Sequence, residues 1–94
     1  MRAVTLLSES EIEAGLAHVS GWELVGKAIE KKFERGDFLG AVKFVDSLVA
    51  PAEAMNHHPD LAVSWDTVTV TISSHSEGGL TGSDFELAAK IDAL

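Results

Sequence analysis

The clearest alternation of apolar and polar positions runs through LAVSWDTVTVTIS. Leu61, Val63 and Trp65 alternate with small or polar residues, and Val68, Val70 and Ile72 alternate with threonines. That is the period of half-buried strands. Asp66-Thr67 between the two runs predicts a tight two-residue turn. It would pair Trp65 with Val68, Val63 with Val70 and Leu61 with Ile72 on one apolar face. WELVGKAIEKKFE shows a weaker period of two, Trp22 with Leu24 and Ile29 with Phe33, around Gly26-Lys27, and predicts a second hairpin. The other apolar stretches have helical spacing. Ser8 followed by Glu11 is a capping-box start for a helix carrying Ile12, Leu16 and Val19 and ended by Gly21. Asp37 offers an N-cap to a longer helix with Phe38, Val42, Val45, Val49 and Ala52 as its stripe, widened by Phe44 and Leu48. Thr81 and Asp84 open the last helix, with Phe85, Leu87, Ala88 and Ile91 as its apolar side; an acidic residue in that first turn suits the helix dipole.

The order helix, strand, strand, helix, strand, strand, helix predicts an α+β fold of two layers, an antiparallel sheet with helices on one face. Pro51 falls inside the central helix. It has no N–H for the carbonyl of Ser47, and its ring crowds that carbonyl. The reading is one kinked helix from about Asp37 to Asn56, bent one turn before Pro51, because Glu53 to His57 must stay posed.

Composition narrows the class. The chain has 94 residues, of which 46% are hydrophobic. This predicts a single domain over 1–94, small enough that pairing with a second copy would help its core. The formal charge of -8 repels phosphate backbones, so no nucleic-acid partner is expected. Absence of cysteine removes disulfides, thiolate nucleophiles and thiolate metal sites. The opening MRAVTLLSESEIEAG is too acidic for a targeting peptide, and no run reaches membrane-spanning length. The expected setting is cytoplasmic, with no membrane partner.

Two of the four histidines are adjacent, in NHHPD at 56–60. The residue before Pro59 is pushed off helical angles, so the central helix must end there. Extending the hairpin register places Pro59 against Ser74 and His58 against His75. His75 would share a strand face with Thr69, Thr71 and Ser73, away from the apolar stripe. Glu53 and His57 are four apart, on one helix face if the helix reaches that far, where the carboxylate would orient the imidazole. Three imidazoles at one hairpin end suit proton transfer near neutral pH, since the unperturbed pKa is about 6.5. Metal binding with Asp84 or Glu53 as a further ligand is the rival. Adjacent histidines point different ways and no His pair has i, i+4 helical spacing, so no metal is the preferred reading. A Ser-His-Asp arrangement using Ser73, Ser74 or Ser76 is weaker, because strand neighbours face opposite sides. EGGLTG either cradles an anion or is a flexible lead-in to a capped helix. His18 is read as solvated.

Glu53, three residues, His57-His58-Pro59, five residues, Trp65, nine residues, His75, eight residues, Asp84: this spacing resembles the signature of the pterin-4a-carbinolamine dehydratase family. GGLTGSD and the helix-GW-hairpin-DF order are similar too, so the resemblance covers nearly the whole chain. It implies a four-stranded antiparallel sheet with helices on one side, assembled as homodimers or homotetramers. It implies a hydro-lyase, 4a-hydroxytetrahydrobiopterin dehydratase, removing water from a 4a-hydroxytetrahydropterin to give the quinonoid dihydropterin. That serves tetrahydrobiopterin recycling, coupled to an aromatic amino acid hydroxylase, with no metal or organic cofactor. By resemblance His57 and His75 are the acid/base groups and His58 holds substrate. Glu53 and Asp84 orient histidines, with helix capping a near-equal role for Asp84. Pro59, Ser74, Ser76 and Glu77 match pterin-contacting positions. Trp65 matches a signature aromatic, here expected in the core. The family also includes interaction proteins, a transcriptional cofactor and factors of carboxylase assembly, the latter often with a degraded histidine set. The alternative for this chain is such a factor.

Overall fold

A computed structural model describes residues 5–94, and positions 1–4 lie outside it. Helix α1, Glu9–His18, begins where Ser8 turns extended. Ser8 Oγ accepts from the Glu11 amide at 3.2 Å, and Glu11 Oε1 accepts from the Ser8 amide at 2.9 Å, the reciprocal box its sequence predicts. Strands β1, Glu23–Val25, and β2, Ala28–Glu34, form the first hairpin. Helix α2, Phe38–Met55, is capped by Asp37, whose Oδ1 accepts from the Gly40 amide at 2.7 Å. Strands β3, Asp60–Ser64, and β4, Thr67–Ile72, form the second hairpin. A 3₁₀ turn at His75–Glu77 leads to helix α3, Gly82–Asp92.

The sheet is antiparallel in the order β1-β2-β4-β3. The fold is therefore the α+β two-layer arrangement that the element order predicts. Ile29 and Phe33 of β2 and Val68, Val70 and Ile72 of β4 face the helices and are buried with Ala41, Phe44 and Leu48 of α2 and Leu87, Ala88 and Ile91 of α3. Phe33 joins the layers, with Phe44 at 4.7 Å and Trp22 at 6.0 Å between ring centroids. Lys31 shares that strand face with Ile29 and Phe33. It carries its ammonium out to Asp92 Oδ1 at 2.9 Å and the Ser20 carbonyl at 2.8 Å, leaving its stem in the apolar layer. A Cβ on Gly15 would stand 2.8 Å from the Phe85 ring, so a larger residue there would have to displace that ring.

Two details differ from expectation. The second turn is Trp65-Asp66, not Asp66-Thr67: Ser64 pairs with Thr67, Val63 with Val68 and Leu61 with Val70. Trp65 takes φ 51° in the turn and is 69% exposed rather than packed. The offset is two residues, so the paired side chains, Leu61 and Val63 with Val70 and Val68, keep their face while Trp65 leaves it. In α2 the buried stripe is Ala41, Phe44, Leu48 and Ala52, while Phe38, Val42 and Val49 are exposed. Both faces of this helix are apolar, so periodicity alone does not choose between them; the Phe44–Phe33 contact does. The exposed stripe lies beside β3, an edge strand whose Leu61 and Val63 are exposed as well. The helix continues unbroken through Pro51, and Ser47 Oγ donates to the Phe44 carbonyl at 2.6 Å one turn earlier.

Candidate active site

The site is set by how α2 stops. Asn56 takes the left-handed conformation, φ 49° and ψ 44°. The His57 amide returns to the Ala52 carbonyl at 3.0 Å and the Asn56 amide to Glu53 at 3.2 Å, a Schellman-type end. His57 is thereby off the helix, so the expected Glu53–His57 pairing along one face does not form. Instead the two histidines diverge. His57 turns to α3, with Nε2 2.6 Å from Asp84 Oδ1. His58 turns back to α2 and pairs with Glu53. His75, at the start of the 3₁₀ turn, has Nε2 3.4 Å from Asp60 Oδ2, with both side chains exposed. The expected pairing of His58 with His75 is absent too. The ladder stops at Asp60 with Thr71, and Ser74 bridges only to Gly79, closing the turn.

Each histidine thus has its own carboxylate, in three different environments. Asp84 is 0% exposed and His57 17%. Asp84 Oδ2 accepts from the Thr81 amide at 2.8 Å and from Ser74 Oγ at 2.9 Å, and the Ser74 and Thr81 hydroxyls are 2.8 Å apart. A buried carboxylate is tolerated where donors surround it, and the first turn of α3 adds its dipole. The two contacts expected of Asp84 fall on separate oxygens, the helix start on Oδ2 and the histidine on Oδ1. Thr81 is the member of this cluster that sequence reading treats only as a cap; its spacing to Asp84 was the available signal.

Two clefts flank the His57–His58 peptide bond, each of about 190 Å³. Volume does not distinguish them; lining does. His57, Ser74, Ser76 and Glu77 line one, with Met55, Asn56, Thr81 and Ser83. Glu53, His58 and Pro59 line the other, among Val45, Leu48, Val49, Ala52 and Leu61. The first presents hydroxyls, a carboxylate and an imidazole; the second is an apolar groove with an ion pair on its rim. Among the described residues no three His, Asp or Glu side chains converge as a metal-binding group.

Comparison with known proteins decides the family. The model of the family Pterin 4 alpha carbinolamine dehydratase matches residues 5–94. The chain belongs to the pterin 4 alpha carbinolamine dehydratase family. A relative in Thermosynechococcus vestitus, provisionally named a pterin-4-alpha-carbinolamine dehydratase, is 49% identical over 88 residues, covering 94% of this chain and 93% of the relative. One in Roseiflexus castenholzii with the same provisional name is 45% identical over 89 residues, covering 95% and 96%. Among solved structures, a transcriptional coactivator/pterin dehydratase from Brucella melitensis superposes with a TM-score of 0.89 at 35% identity, covering 95% of this chain and 97% of that one. A pterin dehydratase-like RuBisCO assembly factor of the alpha-carboxysome superposes with a TM-score of 0.66 at 26% identity, covering 81% and 90%. Pterin dehydratase relatives thus include proteins described by assembly and coactivator roles, and no helix among the described residues is long and apolar enough to cross a membrane.

Proposed function

We propose that this chain is a dehydratase acting on a 4a-hydroxytetrahydropterin, with His57 as its principal proton-transfer group. The observation that carries the reading is His57 held on the buried Asp84 while it lines a polar cleft. The reaction needs little else: the C4a–O bond breaks with a proton delivered to the departing hydroxyl, the N5 proton leaves, and C4a=N5 forms. Imidazole supplies both kinds of transfer near neutral pH. Ser76 and Glu77 line the same cleft and are proposed to meet the pterin edge. His75 adjoins them, tied only to the exposed Asp60 at 3.4 Å; such a pair is weak and leaves the ring free to swing to substrate as the second group. His58, Glu53 and Pro59, on the apolar groove, are proposed to act at the substrate's margin.

The chain works, on this reading, in the cytoplasm in tetrahydrobiopterin recycling, downstream of an aromatic amino acid hydroxylase. The exposed apolar stripe of α2 and the outer edge of strand β3 support homodimer or homotetramer assembly, since such faces and edges are normally covered. The same face favours a second reading, an interaction or assembly factor that retains the pocket. Rapid dehydration of a chemically generated carbinolamine by catalytic amounts of protein supports the enzyme; a rate equal to the uncatalysed one, with stable capture of a partner, supports the factor.

A further inference from the structure

The hydrogen bonds around Asp84 determine which nitrogen of His57 meets the cleft. A carboxylate only accepts. Oδ2 receives the Thr81 amide at 2.8 Å and the Ser74 hydroxyl at 2.9 Å. Ser74 has one hydroxyl proton, spent on Asp84, so its 2.8 Å contact with the Thr81 hydroxyl must be donated by Thr81. The direction of the chain is then fixed: Thr81 to Ser74 to Asp84. Oδ1 is left for His57 Nε2, 2.6 Å away, which must carry a proton. In the neutral imidazole the other nitrogen, Nδ1, is then the bare acceptor. Nδ1 has no partner among the described residues, and none of their side-chain polar atoms is both buried and unpaired. It is therefore accessible, on a residue that lines the polar cleft.

We propose that Ser74 and Thr81 are positioning residues. By holding Asp84 they keep His57 in the Nε2–H tautomer and make Nδ1 the atom that exchanges protons with substrate. The Ser74 hydroxyl is accordingly not a donor to substrate, although the residue lines the cleft: it is buried, its proton is spent on Asp84, and its oxygen already accepts from Thr81. The catalytic half of this proposal rests on the dehydratase reading, while the tautomer half does not.

The test is long-range ¹H–¹⁵N correlation spectroscopy of the full chain labelled in histidine, at a pH where the rings are neutral, with His57 assigned by His57→Gln. The expected wild-type pattern for His57 is a protonated Nε2 and a bare Nδ1. Ser74→Ala and Thr81→Val should convert it to an average of two tautomers and lower kcat by roughly 10²-fold with little change in KM. Thr81→Ser, which keeps the hydroxyl, should retain the wild-type pattern and rate. A wild-type His57 protonated on Nδ1 overturns the proposal without any variant having to fold. So does a Ser74→Ala protein with the wild-type pattern and rate. If wild type turns over no carbinolamine, the dehydratase reading fails, and the wild-type spectrum still decides the tautomer.

Discussion

His57 and His58 are covalent neighbours, yet one is held on a carboxylate that is 0% exposed and the other on a carboxylate that is 67% exposed. The difference comes from a single left-handed residue, Asn56, which sends consecutive side chains to opposite sides of the chain. On the buried side every donor is used, and Ser74, Thr81 and Asp84 leave the ring little freedom. On the exposed side water competes for both partners, so the pair constrains little. Proximity of an imidazole to a carboxylate does not by itself fix the ring; burial with complete hydrogen bonding does. His75 with Asp60, also exposed, belongs with His58 in this respect.

The comparison can be broken most forcefully at Asp84. Asp84→Ala removes the acceptor of Ser74, His57 and the Thr81 amide, leaving buried donors unpaired. The expected loss is about 2–4 kcal/mol of unfolding free energy, read from urea denaturation; a loss below 0.5 kcal/mol would mean that water enters and that the node is not rigid. Pro51→Ala acts in the opposite direction. It restores an N–H to the middle of α2 and should raise stability by up to about 3 kcal/mol. On the expectation that Pro51 bends α2 and so sets how Glu53 and Asn56 present the two histidines, it should also lower kcat. A lowered melting temperature with unchanged kcat would exclude that role. Glu53→Gln tests the exposed pair, and its effect on stability should stay within about 1 kcal/mol.

Glu11 gives the smallest effect. The Ser8 amide donates to this exposed carboxylate at 2.9 Å, and that hydrogen bond, the largest cause, followed by the Ser8 hydroxyl, holds its pKa below the ordinary glutamate value. A depressed carboxylate contributes stability that is present above its unfolded value and is lost as pH falls through the folded one. Wild type should therefore lose melting temperature slightly more steeply than Glu11→Gln below about pH 4.3. Parallel pH profiles would mean the box is not formed in solution.

What was legible in the chain follows the range of the interactions. The starts of α1 and α3 and the cap of α2 were readable because Ser8 with Glu11, Thr81 with Asp84, and Asp37 act across one turn. The element order followed from periodicity. The buried face of α2 did not, because Phe38, Val42 and Val49 make as good a stripe as Ala41, Phe44 and Leu48, and only the packing of Phe44 on Phe33 separates them. The second hairpin kept its faces but not its register, since a tryptophan at φ 51° is not a turn signal. The spaced histidines and carboxylates pointed to the family. Which carboxylate each histidine meets depended on Asn56, whose conformation no spacing rule encodes.

The most direct test of the central claim is the initial rate of dehydration of a chemically generated 4a-carbinolamine by wild type and by His57→Ala. The account predicts turnover by wild type at catalytic concentration and a kcat about 10²–10⁴-fold lower in the variant, with an unchanged fold by circular dichroism. Turnover in His57→Ala equal to wild type, with His57 absent from the cleft, would contradict it.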